Sequence, residues 1–69
     1  MVDFQISMAA ARVNANLTQE KAAEKLGVSK DTVIRWESGK TTPSTAIVMA
    51  MALVYNIPVE YISIPQKTT

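Results

Sequence analysis

One stretch, from Thr18 to Lys40, constrains the fold of this chain more than any other. It encodes two short helices joined by a tight turn, and Thr18 is a favourable N-cap for the first of them. Gly27 follows the last apolar residue of that helix, where a glycine allows the left-handed backbone of a helix end. Ala23 and Val33 are small and apolar at the offsets that two helices packed across such a turn require. We therefore expect these two helices to cross closely, with one face of the second left free.

Three further helices with short loops complete the prediction, and no alternating pattern bounded by hairpin turns suggests a strand. The expected fold is all-α, a compact five-helix bundle in a single domain of residues 1–69 with a frayed tail at 65–69. Asn16 is expected in the left-handed conformation that ends the first helix. The five predicted helices run from Ile6 to Asn14, Thr18 to Leu26, Ser29 to Glu37, Ser44 to Tyr55 and Pro58 to Ser63.

Composition excludes several classes of function. The 69 residues contain no cysteine and no histidine, which removes the usual zinc ligands and the commonest general base. There is also no glycine-rich phosphate loop, so we expect no enzyme, no metal, no cofactor and no small-molecule ligand. The longest apolar run, from Ala46 to Tyr55, is half of what a membrane span needs, so the expected location is cytoplasmic.

The third predicted helix divides into two faces. At 100° per residue, its polar and partly basic residues fall within roughly 140° of one another, while Val33 and Trp36 lie on the far side. A helix with such an outward face suits the major groove of DNA. Because the net charge is only +1, any attraction to phosphates must come from where the charges lie. The outward face consists of Lys30, Asp31, Ile34 and Arg35.

The ordered set of motifs from Ile6 to Ile64 resembles the phage-repressor family of helix-turn-helix proteins, the lambda-repressor and Cro or xenobiotic-response-element group. The resemblance implies a lambda-repressor-like fold, binding to double-stranded DNA, and dimers that place two recognition helices in successive major grooves. It rests on Arg12, Leu17-Thr18-Gln19-Glu20, Ala23-Glu24-Lys25-Leu26-Gly27-Val28-Ser29, Trp36-Glu37-Ser38-Gly39-Lys40 and Pro43-Ser44.

The resemblance implies DNA base contacts from Lys30, Asp31, Ile34 and Arg35. Arg35 has the chemistry to donate two parallel hydrogen bonds to guanine, and Lys30 to donate to guanine or to a phosphate. Asp31 can accept from the cytosine amino group and repels phosphates, while Ile34 could pack on a thymine methyl group. The alternative for this face is an ordinary solvated surface. Ile34 departs from the family, which usually has a polar residue there.

DNA phosphate contacts are expected from four other residues. Gln19 begins the second predicted helix, where free amides and the helix dipole favour an anion, and family members use this glutamine to hold the backbone. The alternative for Gln19 is an ordinary first-turn residue, and for Ser29 a purely structural cap. The four residues are Gln19, Ser29, Ser38 and Lys40.

The family also pairs the positions of Arg12 and Glu37 in a largely buried ion pair. We interpret this pair as structural, because neither a nucleophile nor a second base accompanies Glu37. It would hold the recognition helix against the first helix.

The fourth predicted helix is apolar on both sides. Its core positions by resemblance are Val48, Met49, Met51, Ala52 and Tyr55. A helix of this kind is either buried on both sides or contacts a partner. We expect a homodimer interface, and the alternative is packing against the fifth predicted helix. The surplus apolar residues are Ala46, Ile47, Ala50 and Leu53, and the expected interface comprises Ala46, Ala50, Leu53, Ile57 and Val59.

These patterns together predict sequence-specific double-stranded DNA binding by a transcriptional regulator, a phage or bacterial repressor acting as a dimer on an inverted-repeat operator. Two alternatives keep the same fold. One is an adaptor whose main role is protein–protein interaction, favoured by the low net charge. The other is the antitoxin of a two-protein toxin system, which would bind both DNA and a partner protein.

Overall fold

A computed structural model describes residues 4–64, so the predicted frayed tail at 65–69 lies outside the described residues. Four α-helices form most of the fold, and a short strand pair joins its two ends. The elements in order are β1 (Ile6–Ser7), α1 (Met8–Asn14), α2 (Gln19–Leu26), α3 (Lys30–Ser38), α4 (Thr45–Val54), a 3₁₀ turn (Val59–Tyr61) and β2 (Ile62–Ser63).

Local side-chain chemistry sets the helix ends. Each α-helix begins after a hydroxyl residue whose side chain accepts a hydrogen bond from a backbone amide three residues on, a cap worth roughly 0.5–2 kcal/mol. Gly27 and Gly39 end α2 and α3 with left-handed φ values of 74° and 82°. Asn16 has φ 62°, as predicted. The four capping residues are Ser7, Thr18, Ser29 and Ser44.

The expected all-α five-helix bundle needs correction at both ends. Ile6 and Ser7 are not the start of a helix, because they pair in parallel with Ile62 and Ser63. The fifth predicted helix, Pro58 to Ser63, is a single 3₁₀ turn followed by β2. Two residues per strand show no alternation, and their partners are far apart in the chain. The sequence pattern therefore held no signal for this pair.

Side-chain contacts reinforce the strand pair. Gln5 Nε2 donates a hydrogen bond of 3.0 Å to the carbonyl of Glu60. The rings of Phe4 and Tyr61 meet edge to face with centroids 5.6 Å apart. The two ends of the described chain are thus held side by side.

The hydrophobic core lies where α2 and α3 cross, with α1, α4 and β2 around it. Small side chains on α2 allow the close crossing that the sequence predicted. Two core predictions are wrong, because Met51 and Tyr55 take the buried side of α4: Met49 is 57% exposed, and the half-buried Val48 lies outside the core cluster. The buried apolar residues are Met8, Ala11, Ala22, Ala23, Val33, Trp36, Met51, Tyr55 and Ile62.

Candidate nucleic-acid interface

The two faces of α3 differ sharply in burial. Val33 and Trp36 are 1% and 7% exposed and anchor the helix to the core. The opposite face is open to solvent, and Ile34 on it is 38% exposed. The structure therefore brings all four predicted base-contact residues to one outward surface: Lys30, Asp31, Ile34 and Arg35.

Two of these four residues are paired with each other. Arg35 Nε lies 2.9 Å from Asp31 Oδ2, and the two side chains are 57% and 68% exposed. The residues are four apart on α3, a spacing at which opposite charges on a helix meet. This ion pair was not among the predictions from the sequence, although the four-residue spacing indicates it. Lys30 is in no ion pair within residues 4–64.

Arg12 and Glu37 form a close ion pair between α1 and α3. Arg12 Nε donates to Glu37 Oε2 at 2.7 Å, and Nη2 donates to Glu37 Oε1 at 3.2 Å. The side chains are only 12% and 8% exposed. Arg12 Nη1 also donates to the carbonyl of Leu17 at 2.8 Å. The hydrogen bond to Glu37 raises the pKa of Arg12 above its ordinary value, and burial opposes that effect.

Gln19 joins this ion pair to the start of α2. Its Nε2 donates to Glu37 Oε1 at 3.0 Å, a contact that the sequence analysis missed. A side-chain amide carries two N–H donors, so one donor of Gln19 remains for another acceptor. The network thus fixes Gln19 at the N-terminus of α2, beside α3. Three helices meet there: α1 through Arg12, α2 through Gln19 and α3 through Glu37.

The other predicted phosphate contacts lie at the two ends of α3. Ser29 Oγ accepts from the amide of Thr32 at 3.2 Å and lies 2.8 Å from the Thr32 hydroxyl oxygen. Ser38 Oγ donates to the carbonyl of Arg35 at 3.2 Å. Lys40 is exposed in the following loop and is in no ion pair within the described residues. Lys40 is therefore the readily available cation at this end of the helix.

A second surface feature, which we call the α4 patch, is apolar. It surrounds a pocket of about 330 Å³. Leu53 is 84% exposed and Val59 is 38% exposed. Of the predicted interface residues, Leu53, Ile57 and Val59 line this pocket, whereas Ala46 is exposed and Ala50 half-buried outside its lining. The α4 patch consists of Met49, Ala52, Leu53, Ile57, Pro58 and Val59.

Burial alone identifies Met49 and Pro58 as members of the patch, since the sequence analysis had assigned Met49 to the core and Pro58 to a helix start. Met49 and Leu53 are four residues apart and share the outward side of α4. That spacing indicates that Met49 lies on the same side of α4 as Leu53, whereas the predicted core position placed Met49 inside.

Tyr55 places a polar atom inside the core. Its hydroxyl is buried and has no hydrogen-bond partner among the described residues. Burial raises the pKa of Tyr55, the carboxylate of Glu37 adds to the rise, and the charge of Arg12 opposes it.

Residues 4–64 contain no cluster of three potential metal-binding side chains. They also contain no helix of the length and apolarity that crossing a membrane requires.

Comparison with known proteins gives a consistent result. The helix-turn-helix family model matches residues 8–62. An uncharacterised HTH-type transcriptional regulator from Methanocaldococcus jannaschii is 45% identical over 49 residues, covering 71% of this chain and 74% of the relative. The HTH-type transcriptional activator BcrR of Enterococcus faecalis is 30% identical over 59 residues, covering 86% of this chain but 29% of the relative.

A phage protein is also similar. The cryptic phage CTXphi transcriptional repressor RstR of Vibrio cholerae is 35% identical over 48 residues, covering 70% of this chain and 43% of the relative. No solved structure matches the chain. The family predicted from the order of motifs is confirmed: the chain belongs to the helix-turn-helix family of Cro/C1 type, a family of DNA-binding transcription regulators.

Proposed function

We propose that this chain binds double-stranded DNA sequence-specifically, with α3 in the major groove, and regulates transcription as a dimer. The observation that carries the proposal is the division of α3 into a buried apolar face and an exposed polar face. The major groove is wide enough to admit an α-helix and presents a distinct pattern of donors and acceptors for each base pair. A rigidly anchored helix with an open polar face is suited to reading that pattern.

Each side chain of the face has a different partner chemistry. Arg35 donates to guanine O6 and N7, and Lys30 donates to guanine or to a nearby phosphate. Asp31 has the chemistry to accept from the amino group of cytosine, and its carboxylate lies 2.9 Å from Arg35 Nε on the same face. Ile34, already 38% exposed, packs on a thymine methyl group. The face therefore combines two cationic donors and one carboxylate acceptor with one apolar side chain.

Phosphate contacts at both ends of α3 would set its register in the groove. Gln19 donates its second amide proton to a phosphate while Glu37 holds the first at 3.0 Å. Ser29 and Ser38 offer hydroxyl groups, and Lys40 offers a free positive charge. We assign these four residues to positioning rather than to base recognition, because phosphates carry no sequence information.

The α4 patch is the proposed contact between two copies of the chain. Leu53 is 84% exposed at the edge of an apolar pocket, an arrangement that favours insertion into the same surface of a second copy. The chain measures 31 × 30 × 19 Å along its principal axes. Two copies side by side then have a centre-to-centre separation similar to the roughly 34 Å between successive major grooves. An inverted-repeat operator would match this two-fold arrangement.

The proposed mode of regulation is repression by occupancy, in which bound dimer blocks access to a promoter. The similar RstR is named a transcriptional repressor, whereas BcrR is named an activator. An adaptor or an antitoxin of the same fold would also use the α4 patch, but for a different protein. A reporter gene placed behind the selected operator distinguishes repression from activation by the sign of its response.

Selection from random DNA duplexes tests the proposal directly. The wild-type protein should enrich a motif with two-fold symmetry, and Arg35→Ala should lose preference at a G·C pair in each half-site. A good bidentate contact is worth roughly 1–3 kcal/mol, so the binding free energy should weaken by that amount for each half-site, or by about 2–6 kcal/mol for a dimer on the full operator. Lys25→Ala is the matched control, because it removes a positive charge from the exposed side of α2. A wild-type protein that enriches no motif would show that the chain is an adaptor rather than an operator-binding regulator.

A further inference from the structure

The ion pair between Asp31 and Arg35 lies on the face of α3 that the proposed function turns toward DNA. Arg35 Nε is 2.9 Å from Asp31 Oδ2 before any DNA is bound. We infer that Asp31 is a specificity-determining residue that acts through Arg35: it orients the guanidinium for guanine and withholds its charge from phosphates. This inference rests on the proposed function and adds a role for Asp31 at the base pair that Arg35 reads.

The geometry leaves the useful part of the guanidinium free. Arginine has five N–H donors in one plane, and the nearest guanidinium nitrogen to Asp31 Oδ2 is Nε, at 2.9 Å, which carries one of them. The four donors on the two Nη atoms remain, and these form the fork that can reach O6 and N7 of one guanine. An unpaired arginine samples many rotamers and loses that freedom on binding. An arginine already paired with a carboxylate loses less rotamer freedom on binding. More of the energy of its contact with guanine therefore appears as discrimination between bases.

The carboxylate also changes what Arg35 prefers to bind. A free arginine is attracted to any phosphate, whereas the Asp31–Arg35 pair has no net charge. Asp31 repels phosphates and the acceptor edge of guanine, so only a contact in the right register is favourable. The pair therefore lowers attraction to all duplexes while it raises selectivity at one base pair. The low net charge of +1 fits a protein that depends on selectivity.

A purely structural role for Asp31 makes a different prediction. Asp31 lies in the first turn of α3, where a negative charge favours the helix dipole. Losing that effect would destabilise the fold and weaken binding to every duplex alike. It would not raise non-specific affinity, and it would not act at the base pair that Arg35 reads. The two roles are therefore separable by experiment.

The test uses Asp31→Asn, which removes the charge and keeps the shape. Glu24→Gln is the matched control, because Glu24 faces Lys21 at 3.2 Å on the exposed side of α2 and the change adds the same unit of charge. A random-duplex selection with wild type supplies the motif, and Arg35→Ala identifies its base pair within that motif. Dissociation constants are then measured on the selected duplex, on the duplex with that G·C pair replaced by A·T, and on a scrambled duplex.

We expect Asp31→Asn to reduce the discrimination between G·C and A·T by roughly two- to twelvefold, the range for immobilising one flexible side chain. Its affinity for the scrambled duplex should rise, and its salt dependence should steepen by up to about one unit. In the Arg35→Ala background, Asp31→Asn should have no effect on discrimination at that base pair. Glu24→Gln should leave the discrimination unchanged.

Unchanged discrimination in Asp31→Asn would overturn the inference while leaving the proposed function intact. Two other results would also overturn the inference, because each makes Asp31 an independent reader. One is that Asp31→Asn loses as much discrimination in the Arg35→Ala background as in the wild type. The other is that Asp31→Asn loses preference only at a neighbouring C·G pair. Equal weakening on all three duplexes, together with a lower thermal midpoint, would assign Asp31 the structural role instead. A wild-type protein without any selected motif would overturn both the inference and the proposed function.

Discussion

Removing Arg12 should damage the fold more than any substitution on its surface. In Arg12→Met, the carboxylate of Glu37 stays only 8% exposed and loses two hydrogen bonds, of 2.7 and 3.2 Å. It keeps the single bond from Gln19 at 3.0 Å. An unpaired buried charge of this kind costs about 3–5 kcal/mol. A domain of 69 residues has a total stability of roughly 3–10 kcal/mol, so the variant should lose a large part of it.

The double variant Arg12→Met/Glu37→Met should be more stable than either single variant. It removes both charges and leaves only two polar groups to find new partners, the Leu17 carbonyl and the Gln19 amide. Both residues are half-buried, so water reaches them, and their combined cost should be about 1–3 kcal/mol. The sum of the single effects should exceed the double effect by at least about 1 kcal/mol.

Urea unfolding followed by fluorescence provides the measurement, because Trp36 is the only tryptophan and is 7% exposed in the core. Sucrose stabilises folded proteins, so unfolding curves measured at several sucrose concentrations extend the comparison to single variants that do not fold in water alone. Lys21→Met is the matched control: it breaks the exposed ion pair with Glu24 at 3.2 Å and should cost less than about 1 kcal/mol. Strict additivity of Arg12→Met and Glu37→Met would refute the reasoning, since two independent side chains would produce that result.

Three further predictions follow from the same structure. Lys40→Ala should weaken binding to all duplexes about equally and lower the magnitude of the salt slope by about one unit; an unaltered slope with changed base preference would make Lys40 a reader. Leu53→Glu should impair self-association measured by sedimentation, because it places a charge in an apolar contact. Val13→Glu should not, since Val13 is 61% exposed on α1. Equal effects of the two variants would exclude the α4 patch as the interface. Because burial raises the pKa of Tyr55 above 10, its contribution to stability is complete below pH 10 and is lost as the pH rises through the folded-state pKa. Tyr55→Phe should therefore reduce the loss of stability above pH 10. An alkaline unfolding curve identical to that of the wild type would contradict this.

Local chemistry made much of this fold predictable. A hydroxyl side chain reaches a backbone amide three residues away, so Thr18, Ser29 and Ser44 indicate helix starts without knowledge of the rest of the chain. The same holds for the left-handed residues Asn16 and Gly27, whose conformation depends on their own side chains or lack of one. The 3.6-residue period placed Val33 and Trp36 inside and the polar residues of α3 outside.

Two features near the candidate interface were harder to predict. The contact from Gln19 to Glu37 joins residues on different helices, and no spacing rule connects them. The side of α4 that faces solvent was also uncertain, because a helix apolar all round has almost no preferred direction. Met49 and Met51 have the same chemistry, yet only Met51 is buried. Their difference depends on where α2 and the 3₁₀ turn pack against α4.

The sequence by itself determined where α2, α3 and α4 begin, the two faces of α3 and the family to which the chain belongs. The helix starts and the two faces depend on residues within one or two helical turns, whose interactions form wherever the segment lies. Only the tertiary structure decided that the Ile6–Ser7 and Ile62–Ser63 segments pair as strands, and that Leu53 stays exposed beside a pocket. Such features depend on which surfaces meet after the helices pack. That outcome reflects competition among all apolar faces for one small core, and no local pattern encodes it.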